Sequence, residues 1–155
     1  MILSRVVLEL LEKKSRENDM SIDEYLLEVL TSDLNPRDRA DKYIEASLEL
    51  LEQARKELDK GDLRQASGKI WGAVALGIKA HAYVKVGRRL SSHRELREYK
   101  DKLADELGDW VIVVFQQADS MHINFYEGWA TRKEIEKALK EAEKLVKAIA
   151  KQLEK

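Results

Sequence analysis

The chain has no cysteine among its 155 residues, which excludes disulfides, thiolate metal sites and cysteine nucleophiles. Proline occurs once, so little in the chain breaks a helix. Neither sign of charge dominates, since 28 Lys and Arg oppose 29 Asp and Glu. A uniformly basic surface is therefore excluded, and any nucleic-acid partner needs a local basic patch. No uncharged run approaches the roughly 20 residues of a membrane span. The opening "MILSRVVLELLEKK" meets charge at Arg5 and Glu9, unlike the apolar core of a secretory signal. The expectation is a cytoplasmic protein with no membrane partner. Histidine is scarce too: His81, His93 and His122 are the three in the chain. They show no local metal-ligand spacing, and imidazole sites need several converging ligands. Neither a metal nor another cofactor is expected.

What remains is 44% hydrophobic and 37% charged residues, a balance suited to helices with salt-bridged outer faces around one core. Val6, Val7, Leu10 and Leu11 fall on one helical stripe. Ser21 and Glu24 then form a capping-box pattern that restarts the helix. Asn35 and Pro36 open a long helix that closes at Gly61, and Asp62 with Gln65 opens the next, which closes at Gly87. Ser92 with Glu95 and Thr131 with Glu134 give two further boxes, and Asp109 stands as a cap before "WVIVVFQQA". That run is β-branched, but an isolated strand has nothing to pair with here. The reading is all-α, without sheet: long helices over 36–60, 62–86, 109–122 and 131–154, a shorter one over 92–107, and a helical pair over 2–31. Short connections favour an up-down bundle, with residues 1–34 as an arm and 35–155 as the bundle. The glycines at 68, 72 and 77 each cost about 1 kcal/mol against alanine inside a helix. Close approach of a neighbouring helix backbone is the expected compensation, and a ligand or partner surface is the alternative.

"ASGKIWGAVALGIKAHAYVKVG", "SSHRELREYKDKLADELG" and "MHINFYEG" resemble the largely archaeal PaREP family, which is similar to the HEPN-like superfamily of helical bundles. The resemblance spans about residues 36–150. It rests most on Trp71-Gly72-Ala73 with Lys79-Ala80, the Ser92-His93 helix start, and His122 with Asn124 to Glu127. It implies a HEPN-like bundle. Many HEPN-like proteins are metal-independent ribonucleases, in which an arginine precedes a histidine by four to six residues, often at a dimer interface. Arginine steadies the phosphate and its developing charge, and histidine moves the proton of the attacking 2′-hydroxyl. His122 matches that histidine, but Phe115, Gln116 and Gln117 stand in the arginine positions. Glutamine brings no charge and cannot reproduce the guanidinium fork.

Two readings follow from that departure. In the first, a homo-oligomeric binding or interaction module keeps the pocket without the chemistry. Its contacts would come from Trp71, Lys79, Arg88, His93, Gln117, His122, Asn124 and Tyr126, and its partners would be RNA, a nucleotide or another protein in a defence or toxin–antitoxin setting. In the second, a ribonuclease uses His122 with a displaced cation, Lys79, Arg88 or Arg132. Each residue also has a plainer role: His122 as a helix-end histidine bonded to Gln116, Gln117, Asp119 or a backbone carbonyl, Lys79 as a solvated side chain, and Trp71, Phe125, Tyr126 and Trp129 as core or interface aromatics. "GRRLSSHRELR" is the best local basic patch, and it includes a formal Arg88–His93 match to the arginine–histidine spacing. Residues 10–30 also look like the two helices of a ribbon-helix-helix regulator. Only "MIL" precedes them where such proteins carry a strand, so they read as a docking or dimerisation arm.

Overall fold

A computed structural model describes residues 2–154. They form seven helices and no strand: α1 (Arg5–Glu17), α2 (Ile22–Leu30), α3 (Pro36–Lys60), α4 (Leu63–Val86), α5 (His93–Leu107), α6 (Trp110–Glu127) and α7 (Arg132–Leu153). The helical bundle read from the sequence is the fold. Its boundaries follow local chemistry. Ser21 and Thr131 make reciprocal capping boxes with Glu24 and Glu134, while Asn35 caps α3 with Pro36 in its first turn. Gly61 and Gly87 end α3 and α4 in the left-handed region that glycine adopts without strain.

One boundary and two caps differ from expectation. Asp109 has helical backbone angles and makes no capping bond. Consequently α6 starts at Trp110, where Trp110 Nε1 donates to the Leu107 carbonyl. The "NFYE" segment is no turn: it continues α6 to Glu127, and Gly128 (φ +69) is the stop. His122 therefore lies inside a helix rather than at its end. Ser92 caps α5, but Glu95 reaches back to the Ser91 amide, one residue beyond the expected box.

Helix α4 is the centre, with α3, α5, α6 and α7 all packed against it. Every residue from Ile70 to Tyr83 is buried, as befits a helix surrounded on all sides. Fully burying side chains such as Ile70, Leu76 and Ile78 contributes about 1.5–3 kcal/mol each. The three α4 glycines admit neighbours, and the nearest atoms are side chains, not a helix backbone. Phe125 lies over Gly68, Leu50 over Gly72, and Ile149 with Val146 at Gly77.

Most polar groups inside the bundle are bonded, as burial demands. Ser47 donates to the Ala73 carbonyl at 2.6 Å. His81 is sealed between Tyr99 (2.7 Å) and Glu106 (2.8 Å), and Gln152 of α7 reaches the same carboxylate. Asn124 donates to Ser67 of α4 and accepts from the Ala130 amide, fixing the α6–α7 turn against α4. The arm is joined more thinly. One tie is buried: Lys79 of α4 meets Glu24 of α2 at 3.1 Å. Arg39 donates to the Glu28 carbonyl, and Arg89 pairs with the Glu28 side chain. The α1 stripe does not turn inward. Val6, Val7 and Leu10 are exposed, and Ser15 is the buried residue of that helix.

Candidate functional site

Where α6 crosses α4, four rings gather. Trp71 of α4 stacks on His93 with centroids 4.8 Å apart, and lies 5.1 Å from His122. The two imidazoles are themselves stacked, 5.3 Å apart at 28°, and Tyr126 meets His122 edge-on. Helical spacing explains the gathering: His122 and Tyr126 are four apart on one face of α6. His93 enters from the first turn of α5. Its Nε2 lies 2.8 Å from Asp119 of α6, whose other oxygen accepts from Arg97 at 2.8 Å. A carboxylate accepts, so Nε2–H donates to it, and Nδ1 of His93 makes no hydrogen bond among the described residues.

His122 is surrounded by rings rather than by the hydrogen-bond partners expected for it, and makes no hydrogen bond among the described residues. Burial, and then the charge of His93, hold it below its ordinary value of 6.5, while Asp19, Asp119 and Glu24 pull the other way. It is therefore a neutral imidazole near pH 7, able to accept or donate one hydrogen bond.

Next to these rings opens a cavity of about 520 Å³, walled by the bundle on one side and the arm on the other. The size lies within the range of small-molecule sites. Leu50, Trp71, His122, Phe125 and Tyr126 supply its bundle wall, with the bare backbones of Gly68 and Gly72. Ser15, Asp19 and the start of α2 from Ser21 to Glu24 close it from the arm.

The structure thus brings together Trp71, His93, His122 and Tyr126. It withdraws others. Lys79 is neither solvated nor free to serve His122: it is buried and committed to Glu24. Asn124 is wholly buried, its amide spent on Ser67 and Ala130. Arg88 pairs with Glu95, and Arg132 with Glu136 and the Leu58 carbonyl. Gln117 is half-buried, with no hydrogen-bond partner for its side-chain oxygen among the described residues. Phe115, in an arginine position, packs edge-on against Trp71. The basic patch is neutralised: Arg88, Arg89, Arg94 and Arg97 each face a carboxylate.

The sequence offers Arg97 only as one cation of the basic patch and Asp119 only as a partner for His122; their meeting at His93 is not read from it. The signal was two helical pairs, His93 with Arg97 at i,i+4 and Asp119 with His122 at i,i+3, each on one face.

Comparison with known proteins agrees with this architecture. A protein of Sulfolobus solfataricus known from its crystal structure superposes with a TM-score of 0.63 at 23% identity, covering 70% of this chain and 96% of that one. At that identity the likeness shows the fold. No curated protein matches the chain. The family model for the archaeal PaREP1/PaREP8 family matches residues 42–146, from α3 through α7. The chain belongs to the archaeal PaREP1/PaREP8 family.

Proposed function

We propose that this protein is a binding module of HEPN-like build, whose arm (1–34) and bundle (35–155) enclose a small-molecule ligand against Trp71 and His122. The observation that carries the reading is the ring-walled cavity between arm and bundle, with His122 facing it rather than sealed in the core. Two features separate it from a nuclease. Phe115, Gln116 and Gln117 leave the arginine positions uncharged, and the four nearby arginines are already paired with carboxylates. Phosphodiester chemistry needs charge aimed at the developing oxyanion, and these pairs aim it elsewhere. The same pairing weakens an RNA or nucleotide ligand.

One observation favours the ribonuclease reading. His93 and His122 are stacked, and Asp119 orients the first, so an acid and a base lie side by side. A ribonuclease assay in EDTA decides between the two. We expect no cleavage. Cleavage that survives chelation and disappears in His122→Ala overturns the binding-module reading.

Ligand capture is read through Trp71 fluorescence in a Trp110→Phe/Trp129→Phe background. Saturable quenching by a small molecule, weakened at least tenfold by Tyr126→Ala, is the expected result. Absence of saturable quenching across amines, alcohols, carboxylates and mononucleotides refutes it. A homo-oligomer belongs to the same reading, supported by the exposed Val6, Val7 and Leu10 of α1. Light scattering that gives a monomer at micromolar concentration removes that part.

A further inference from the structure

The charges around the cavity define what it can hold. Four carboxylates line it, Glu12, Asp19, Asp23 and Glu24, against two cations, Arg16 and Lys69. Lys79 neutralises Glu24 from behind, which leaves the lining with one net negative charge. Glu12, Asp19 and Asp23 enter no salt bridge among the described residues. Asp19 holds its place by a left-handed backbone (φ +52), a conformation that aspartate and asparagine tolerate better than most side chains. Trp71, Phe125 and Tyr126 add ring surface, and ring faces attract organic cations. From these we infer that the cavity takes an organic amine: a small ligand with an apolar body and one positively charged nitrogen, the body against Trp71 and Phe125 and the nitrogen toward Asp19 and Asp23.

The inference rests on the binding-module reading and adds the chemical class. An anionic ligand fits less well, because it would enter a site whose lining is already net negative. The electrostatics at the cavity floor agree. The carboxylates that pull on His122 include Asp19 and Glu24. His122 is left neutral, adding no positive charge to repel an amine.

The test is a series with one body and three charges: hexylamine, hexanol and hexanoate, with AMP as the phosphate control. Each is titrated at pH 7.5 against the full chain, followed by Trp71 fluorescence in the Trp110→Phe/Trp129→Phe background and by thermal stability. We expect hexylamine to bind about tenfold or more tightly than hexanoate, a ratio that corresponds to about 1.4 kcal/mol. In Asp19→Asn/Asp23→Asn that ratio should collapse toward unity while hexanol binding is unchanged. Asparagine suits the left-handed backbone at position 19, so the variant should fold, and its hexanol titration checks the cavity. Hexanol bound without preference for the amine overturns the charge class and keeps the binding-module reading. Tighter binding of hexanoate or AMP overturns the class as well. Failure of all four probes to bind overturns both.

Discussion

Replacing Lys79 by methionine leaves Glu24 facing α4 without a counter-charge. The two side chains are 7% and 5% exposed and 3.1 Å apart, which gives a gross attraction of about 5 kcal/mol at an effective dielectric of about 20. Desolvation of the two ions offsets most of that, so the pair contributes little net stability. Deleting one partner is different. An uncompensated buried charge costs about 3–5 kcal/mol, which in a domain of this size lowers Tm by roughly 6–20 °C. The chain has a cheaper escape. Glu24 belongs to the arm, whose other ties to the bundle include the Arg39 and Arg89 contacts with Glu28 and the packing of Leu27 on the core. Letting α2 lift away returns Glu24 to water. The loss in Lys79→Met therefore cannot exceed the free energy that docks the arm.

The expected outcome is local. Hydrogen exchange over residues 21–34 should accelerate at least a hundredfold, while α3, α4 and α7 keep their protection and Tm falls by less than about 5 °C. Glu24→Gln added to Lys79→Met removes the stranded charge and keeps the capping box with Ser21, so arm protection should return. A Tm drop above about 10 °C, with core and arm exchange accelerating together, would refute this reasoning and make arm and bundle one cooperative unit.

The α4 glycines should separate by what a methyl group meets. Gly77→Ala, with Ile149 and Val146 at 3.6 Å, should gain about 0.5–1 kcal/mol from helix propensity. Gly72→Ala should be near neutral, because the Leu50 tip at 3.2 Å can shift. Gly68→Ala, at 2.8 Å from the Phe125 ring, should lose about 1–3 kcal/mol by overpacking. Urea denaturation measures all three, and equal stability of Gly68→Ala and Gly77→Ala would contradict the packing. Asn124→Ala strands the buried Ala130 amide, so it should cost about 1–3 kcal/mol in the same assay. Stability should also fall between pH 7.5 and 5.5. His81, mainly by burial against the pull of Glu106, and His122 are both held below 6.5, so the unfolded chain binds more protons as pH drops through that value. Glu95, Glu106 and Glu134, lowered from 4.5, add their losses only at more acidic pH. His81→Gln should flatten the upper window, and wild-type stability unchanged down to pH 5.5 would count against both assignments.

Helix existence was legible because each start has its own chemistry: Ser21 with Glu24, Asn35 with Pro36, Thr131 with Glu134. The end of α6 was misread because Asn124, Phe125 and Tyr126 resemble turn and interface residues. Asn124 serves the turn from within the helix, by bonding the Ala130 amide beyond it. The rings around His122 were partly legible, since Trp71, His93 and Tyr126 had been singled out. Their mutual stacking depends on where α5 meets α6, which no local spacing encodes. Lys79 and Glu24 lie 55 residues apart. Lysine on an otherwise buried helix is a visible oddity, but its partner emerges only from the docking of the arm. The arginine-rich stretch misled because every cation is answered, by Glu95 and Glu98 of α5 and by Glu28 and Asp119 from elsewhere.

The position of α4 at the centre of the bundle also has a consequence in time. During synthesis α3 and α4 emerge after the arm and before the other bundle helices, and can pair as a helical hairpin across Gly61 and Asp62. The rest of α4's apolar surface has no cover until α5, α6 and α7 have been made. The 67 residues that follow Val86, through Leu153, take about 3–13 s to synthesise at about 5–20 residues per second. For those seconds the nascent chain leaves open the faces of α4 that α5, α6 and α7 will cover, and the newborn protein is most open to chaperone capture or to aggregation in that interval.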